Sequence, residues 1–334
     1  PVMQSPSYHG YDVTDYRSIE KDYGTNDDFR CLVDEAHRRG IRVVVDLVLN
    51  HTSNRHRWFR DAWRRRSPYH DWYIWSKEPQ DFLGPWSQPV WHEAFWWQRG
   101  WRDFNHLSYY GLFWSGMPDL NFRNPEVTQE MYDLSRFWVE EMGADGFRLD
   151  AIRHLIEDGT VQENTPETHA WLRDYQSFLK ARFADALTVG EVWDETEIVA
   201  TYGPDEIDLT FQFALAREML EAVRSGSAQA LREESQEVWR SFPDGGAATF
   251  LTNHDQVRVM SVLDERIERA KVAATLLLSG PGVPFLYYGE EIGTKGMKPD
   301  PSLRRPMQWS SGKYAGFSTA KPWQEPHLDA DQIH

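Results

Sequence analysis

The chain has 334 residues, 40% of them hydrophobic, which is enough to bury a sizeable core and excludes a disordered chain. Fifty-two acidic residues against 36 basic ones leave a formal charge of −16, so nucleic acid, which needs a basic face, is not an expected partner. The longest apolar run, around Val272–Leu278, is far too short for a bilayer, and no membrane span is expected.

In chain order, Pro1-Val-Met-Gln-Ser-Pro has no basic or apolar leader and no initiator Met. The sequence therefore reads as beginning in mid-chain, with any signal peptide out of view. A strand stub at Pro1–Met3 precedes a helix at Asn26–Arg39, which Gly40 stops. Cys31 is the single cysteine; it rules out an intramolecular disulfide and is expected as a small buried residue of that helix. It leaves the compartment open. Ile41–Leu49 is β-branched and strand-like.

Between Asn50 and Leu120 lie roughly seventy residues rich in Trp, Pro, Asp and His, too many for an ordinary loop, and a small inserted domain is expected there. Of 16 tryptophans, Trp58, Trp63, Trp72, Trp75, Trp86, Trp91, Trp96, Trp97, Trp101 and Trp114 fall in this stretch. Aromatic faces of this kind pack cores and also stack on sugar rings; density alone favours core or rim packing.

Beyond it, strands are expected at Gly146–Leu149, Leu187–Gly190, Ile207–Phe213, Ala248–Leu251 and Pro284–Tyr288. Helices are expected at Glu126–Met142, Glu167–Ala184, Ala214–Val223, Ala228–Trp239 and Arg266–Leu278. The alternation argues for parallel βαβ units in an α/β fold. A closed (β/α)8 barrel has eight strands, and six full ones plus the stub are counted here. As a barrel, the chain divides into 1–51 (end of strand 2 to strand 3), an insert at 52–120 and the remaining strands at 121–334, with strand 1 and a C-terminal domain absent. Open strand edges would cost more than the usual net stability, so poor folding outside a longer parent is expected.

Polar residues sit at the ends of these strands. Asp46, Asn50 and His51 end the first, Arg148 and Asp150 the next, Glu191 the third, and Asn253-His254-Asp255 follow Ala248–Leu251. In a β/α barrel the C-terminal strand ends share one mouth, where catalytic groups collect. A single carboxylate there is as readily a helix cap; a series at successive strand ends is not.

These residues carry a resemblance. Asp46-Leu-Val-Leu-Asn-His51, Gly146-Phe-Arg-Leu-Asp150, Gly190-Glu-Val-Trp193 and Phe250-Leu-Thr-Asn-His-Asp255 resemble the four signature blocks of glycoside hydrolase family 13, the α-amylase superfamily, in order. Met117-Pro-Asp-Leu-Asn121 and Gly282-Val-Pro-Phe-Leu-Tyr-Tyr-Gly-Glu290 match two further blocks. The resemblance implies a (β/α)8 barrel with a domain inserted after its third strand, and a retaining mechanism with Asp150 as nucleophile and Glu191 as acid/base. Retention needs the two carboxyls about 5–5.5 Å apart. Arg148 would hold Asp150 ionised, and burial beside the other carboxylates would keep Glu191 protonated. Asp255 matches the third carboxylate, and His51 and His254 the donors that stabilise the oxocarbenium-like transition state.

The resemblance reaches further out. Tyr11 is similar to the tyrosine that stacks under the sugar, Asp12 to an aspartate of oligosaccharide-specific members, and Asp300 with Arg304 to a pair on the next sugar. His154 is similar to a histidine on the leaving-group side. Asn50, Asp119 and the carbonyl of His154 resemble a calcium site; oxygen ligands suit calcium, but about six to eight are needed and three can be named. No cofactor is required for the chemistry, and no zinc site is suggested.

Within the family the Met117-Pro-Asp-Leu-Asn block resembles an intermediate subfamily, between oligo-1,6-glucosidases and neopullulanase-like enzymes. Arg153 and His154 resemble amylases; Arg305-Pro-Met-Gln-Trp309 and Gly316–Trp323 resemble α-glucosidases and trehalose synthases. The expected activity is hydrolysis of α-1,4 bonds in starch-like glucans and malto-oligosaccharides, with transglycosylation as a possible accompaniment of the same covalent intermediate. An exo-acting α-glucosidase or a trehalose-synthase-like transferase is the alternative. A non-catalytic transporter partner would lack the three carboxylates, and a carbohydrate-binding module would not need them. A monomer is the working expectation.

Overall fold

The computed structural model describes residues 1–93, 107–243, 245–327, 329 and 333. The chain divides into two compact units, Pro1–Val192 with Pro204–Asp208, and Trp193–Gly203 with Leu209–His334. The insert expected at 52–120 lies within the first.

The first unit opens with β1 (Met3–Gln4), which pairs antiparallel with β2 (Asp15–Ile19). The stub expected at Pro1–Met3 therefore joins a two-stranded antiparallel sheet whose second strand, with one polar-flanked apolar pair, gave little signal. Helix α1 (Asn26–Arg38) starts at Thr25, whose side chain accepts from Asp28 N–H while Asp28 reaches back to Thr25 N–H at 2.8 Å. It ends as Gly40 predicts: Gly40 at φ +70° lets its N–H reach the His37 carbonyl and Ile41 N–H the Ala36 carbonyl. Phe29 and Val33 form its buried face. Cys31 is exposed, not buried, because two residues from each it turns to the opposite side.

Strand β3 (Val44–Leu47) is shorter than the run Ile41–Leu49, and Ile41 lies exposed before it. After α2 (Arg57–Ala62) come β4 (Trp75–Ser76), β5 (Trp91–Glu93) and β6 (Ser108–Tyr110), an antiparallel sheet in the order β4-β6-β5. Most of the described tryptophans here are packing residues. Trp58 and Trp72 are buried, and Trp63 and Trp75 pack with Phe59 and Tyr109 at centroid distances of 5.0–6.2 Å. Trp86 and Trp114 are exposed; Trp96, Trp97 and Trp101 lie outside the described residues.

Helices α3 (Pro125–Arg136) and α4 (Pro166–Arg182) each begin with Pro at the first position, capped by Asn124 and Thr165. A π-helical turn, Phe137–Glu141, continues α3 to the expected end. Between them β7 (Gly146–Leu149) and then β8 (Leu187–Gly190) match their expected limits. Parallel pairing sets Asp46 beside Arg148 and Leu149 beside Gly190. Gly146, at φ +153°, lets the two strands close: a Cβ there would stand 2.0 Å from the Leu187 carbonyl oxygen. The buried side chains of Val45, Leu47, Phe147 and Leu149 make the core under this sheet, on the face opposite Asp46 and Arg148, each worth about 1.5–3 kcal/mol of transfer.

The second unit holds α5 (Thr196–Val199), β9 (Leu209–Phe211), α6 (Phe213–Ser225), α7 (Gln229–Ser241), β10 (Ala247–Thr249), α8 (Val259–Val262), α9 (Ile267–Ser279) and β11 (Val283–Pro284). Strands β9, β10 and β11 are parallel neighbours. Leu215, Met219, Leu231, Val238, Leu263 and Leu277 close the helices over β10. Among the described residues no helix is long and apolar enough to cross a membrane.

Candidate active site

The site residues of the first unit gather on one guanidinium. Arg148 points from β7, in register with Asp46 of β3. Its Nη1 donates to Asp150 Oδ1 at 2.6 Å, to Asp46 Oδ1 and Oδ2 at 3.0 and 3.1 Å, and to the Tyr11 hydroxyl at 3.2 Å. Its Nη2 donates to Glu191 Oε2. The strand ends explain the meeting: Asp150 follows β7 directly, Glu191 follows β8, and the Glu191 N–H is bonded to the Leu149 carbonyl at 3.0 Å. Ala151 then turns into the left-handed region, φ 48° and ψ 37°, and brings its N–H to 3.4 Å from Glu191 Oε2.

Burial opposes charge on Arg148 and Asp46, but the two hold each other ionised. Desolvation works against the Arg148 cation, yet Asp46, Glu191, Tyr11 and Asp150 together raise its affinity for the proton well above the ordinary value. Desolvation likewise opposes ionised Asp46, and the guanidinium nevertheless holds its carboxyl below the usual range. The expected pairing of Arg148 with Asp150 is present.

Tyr11 donates to Asp46 Oδ2 at 2.8 Å, and its ring lies under Arg148, 5.5 Å from the guanidinium carbon. Burial, ahead of the charges around it, pushes its hydroxyl well up, so it stays a neutral donor. Asp12 accepts from Ser5 Oγ at 2.6 Å and from Ser7 Oγ. His51 is buried and directs Nε2–H to the Tyr11 carbonyl at 3.1 Å; burial lowers its pKa and favours the neutral ring. His154 gives Nδ1–H to the Gln162 carbonyl at 2.9 Å and accepts from Arg153 at Nε2, its pKa pulled down to about 4 by burial. Both rings meet Phe113 edge-on.

Asn50 and Asp119 come together where His51 and Asp119 form a β-bridge. The Asp119 carboxyl accepts from Leu112 N–H at 3.1 Å, is buried, and is raised well above the usual range by that burial. Asn50 Oδ1 is buried without a hydrogen-bond partner. An orphaned carbonyl oxygen beside an uncompensated buried carboxyl is a donor set that fits a hard cation. Among the described residues no cluster of three or more His, Cys, Asp or Glu side chains has metal-binding geometry.

In the second unit Asp255 stands after β10, its N–H bonded to Asn253 Oδ1 at 2.9 Å. Arg304 Nη2 donates to Asp255 Oδ1 at 2.6 Å and Arg304 Nε to the His254 carbonyl at 3.1 Å. His254 Nε2 lies 3.3 Å from Asp255 Oδ2. Asp300, in the 3₁₀ turn Asp300–Leu303, is ion-paired to Lys298. Arg304 thus acts on Asp255 itself, which its resemblance to a sugar contact did not suggest. Asp46 is the strand-end residue to which sequence reasoning gave no role; a carboxylate on a β-branched strand, costly unless paired, was the available signal.

The family described as "Alpha amylase, catalytic domain" matches residues 1–334. Alpha-amylase 3 of Dictyoglomus thermophilum is 39% identical over 96% of this chain and 60% of its own length. The trehalose synthase/amylase TreS of Mycobacterium tuberculosis is 35% identical over 96% of the chain and again 60% of its own. The crystal structure of an alpha-amylase from H. orenii superposes with a TM-score of 0.85 at 38% identity, covering 96% of this chain and 64% of that one. The chain spans about three fifths of the length of these curated relatives.

Proposed function

This chain belongs to the α-amylase catalytic-domain family, of (β/α)8-barrel fold class, and from that premise we propose that it hydrolyses α-1,4-glucosidic bonds in starch-like glucans and malto-oligosaccharides with retention of configuration. The observation that carries the reading is the Arg148 guanidinium, which binds Asp150 with one nitrogen and Glu191 with the other. Carboxyls so tethered at adjacent strand ends suit the short separation of a retaining pair.

In the first step Glu191, protonated and turned away from Arg148, gives its proton to the glycosidic oxygen. Asp150 attacks the anomeric carbon as that C–O bond breaks, forming a glycosyl ester. In the second step Glu191 takes a proton from water, whose oxygen displaces Asp150 from the same carbon. Arg148, bonded to Asp150 at 2.6 Å, orients it for the attack and receives it again as leaving group. Asp255, fixed by Arg304, would bind sugar hydroxyls. Asn50, Asp119 and the carbonyl of His154 would hold a structural calcium ion, whose charge would compensate buried Asp119. If so, a chelator lowers the thermal midpoint of the protein but not that of Asp119→Asn; equal midpoints with and without chelator would remove calcium from the account.

Similarity to a trehalose synthase/amylase over 96% of the chain supports a second reading, transfer of the glucosyl group to a sugar hydroxyl instead of water. Products from maltoheptaose, followed over time with the full-length protein and an Asp150→Asn control, decide. Early maltose and maltotriose mark endo-hydrolysis, and glucose with maltohexaose marks an exo-glucosidase. Products longer than the substrate mark transfer. A control as active as the parent would sink the assignment of Asp150.

A further inference from the structure

Arg258 is 1% exposed, yet among the described residues it forms no ion pair with a carboxylate. Its Nε donates to the Leu303 carbonyl at 2.8 Å, its Nη1 to the Tyr288 carbonyl, and its guanidinium carbon lies 4.0 and 4.5 Å from the ring centres of Tyr287 and Tyr288. A buried cation held by two carbonyls and two rings, with its Nη2 left without a hydrogen-bond partner, is costly compared with an apolar side chain, so stability alone does not account for it. The two tyrosines act on the same stretch of backbone: Tyr287 Oη donates to the Leu303 carbonyl at 3.1 Å and Tyr288 Oη to the Arg305 carbonyl at 2.6 Å. Three donors therefore grip the carbonyls of Leu303 and Arg305, the residues on either side of Arg304. Arg304, in turn, holds Asp255 Oδ1 and the His254 carbonyl.

We infer that Arg258, Tyr287 and Tyr288 form a clamp of positioning residues that fixes Arg304 and, through it, Asp255. Arg258 also sits three residues after Asp255 in the chain, and its N–H is bonded to the Gly296 carbonyl at 3.1 Å. It thus ties both the segment that carries Asp255 and the segment that carries Arg304. The inference rests on the reading of Asp255 as part of the site.

Coupling between the clamp and Arg304 separates positioning from a general packing role. In the full-length protein Tyr287→Phe and Tyr288→Phe each keep the ring and lose one donor. Each should lower kcat/KM for maltoheptaose by roughly three- to tenfold, as one hydrogen bond implies. In an Arg304→Ala background the same changes should cost nothing further, because the group they position is gone. Arg258→Lys, which keeps the charge without the fork, should behave likewise; if it does not fold, the tyrosine variants decide. Equal losses in both backgrounds, or a lowered thermal midpoint with unchanged kcat/KM, would overturn the clamp. Asp150→Asn run in parallel keeps the two readings apart: its retained activity would refute the nucleophile, whereas the coupling is read whichever carboxylate reacts.

Discussion

Arg148 is the residue on which the candidate site residues of the first unit depend. A guanidinium offers five donors in a fixed plane, and here they serve Asp46, Asp150, Glu191 and Tyr11 at once. A lysine at this place would bring the same charge at a single point and could not hold Asp150 and Glu191 in one plane. Arg148→Lys is therefore expected to lower kcat/KM for maltoheptaose by about 10²-fold, mostly in kcat, with little change in the circular dichroism of the fold. A loss of no more than about threefold would mean that charge alone suffices there. The same residue shows the limit of reading sites from patterns. The pairing of Arg148 with Asp150 follows from their spacing on one strand face. Its hold on Asp46 depends on the register between β3 and β7, and its hold on Glu191 on how β8 lies beside β7; neither is local.

Elements with a strong local signal were legible in the sequence. β7 begins at Gly146 and β8 ends at Gly190, each just before a candidate carboxylate, and their limits agree to the residue. α3 and α4 begin one residue before the expected glutamates because Pro125 and Pro166 can serve as first helical residues after a capping side chain. Where tertiary context decides, the sequence said less. β3 stops short because Ile41, although β-branched, lies exposed. β2 was missed because Tyr16 and Ile19, its buried residues, do not alternate with period two in so short a strand. The Trp-rich insert read ambiguously between core and sugar platform, and for Trp58, Trp63, Trp72 and Trp75 packing is the answer, since they close on Phe59 and on one another. In the candidate site, motif order named the residues to look at, but not that His51, His154 and Asp12 would have their polar atoms engaged by Tyr11, Gln162 and two serines.

For the whole molecule, electrostatics governs how stability follows pH. With a formal charge of −16, every further deprotonation adds to self-repulsion. Glu290 matters most near neutrality. Thr252 Oγ1 donates to its Oε1 at 2.8 Å, its Oε2 is buried without a partner, and burial raises its pKa from 4.5 to about 7, with Arg258 only partly opposing. The folded state thus holds a proton that the unfolded chain has already released between about pH 4.5 and 7. Its contribution is fully present below pH 4.5 and is lost as the pH rises through 7, at most about 3 kcal/mol over that span. Glu290→Gln keeps the shape of the protonated carboxyl and cannot ionise. Its denaturant midpoint should stay close to that of the parent at pH 5 and exceed it at pH 8, with the two profiles diverging between. Parallel profiles across that range would show that Glu290 finds a compensating partner on ionisation, and the pH dependence would then have to come from the surface charge alone.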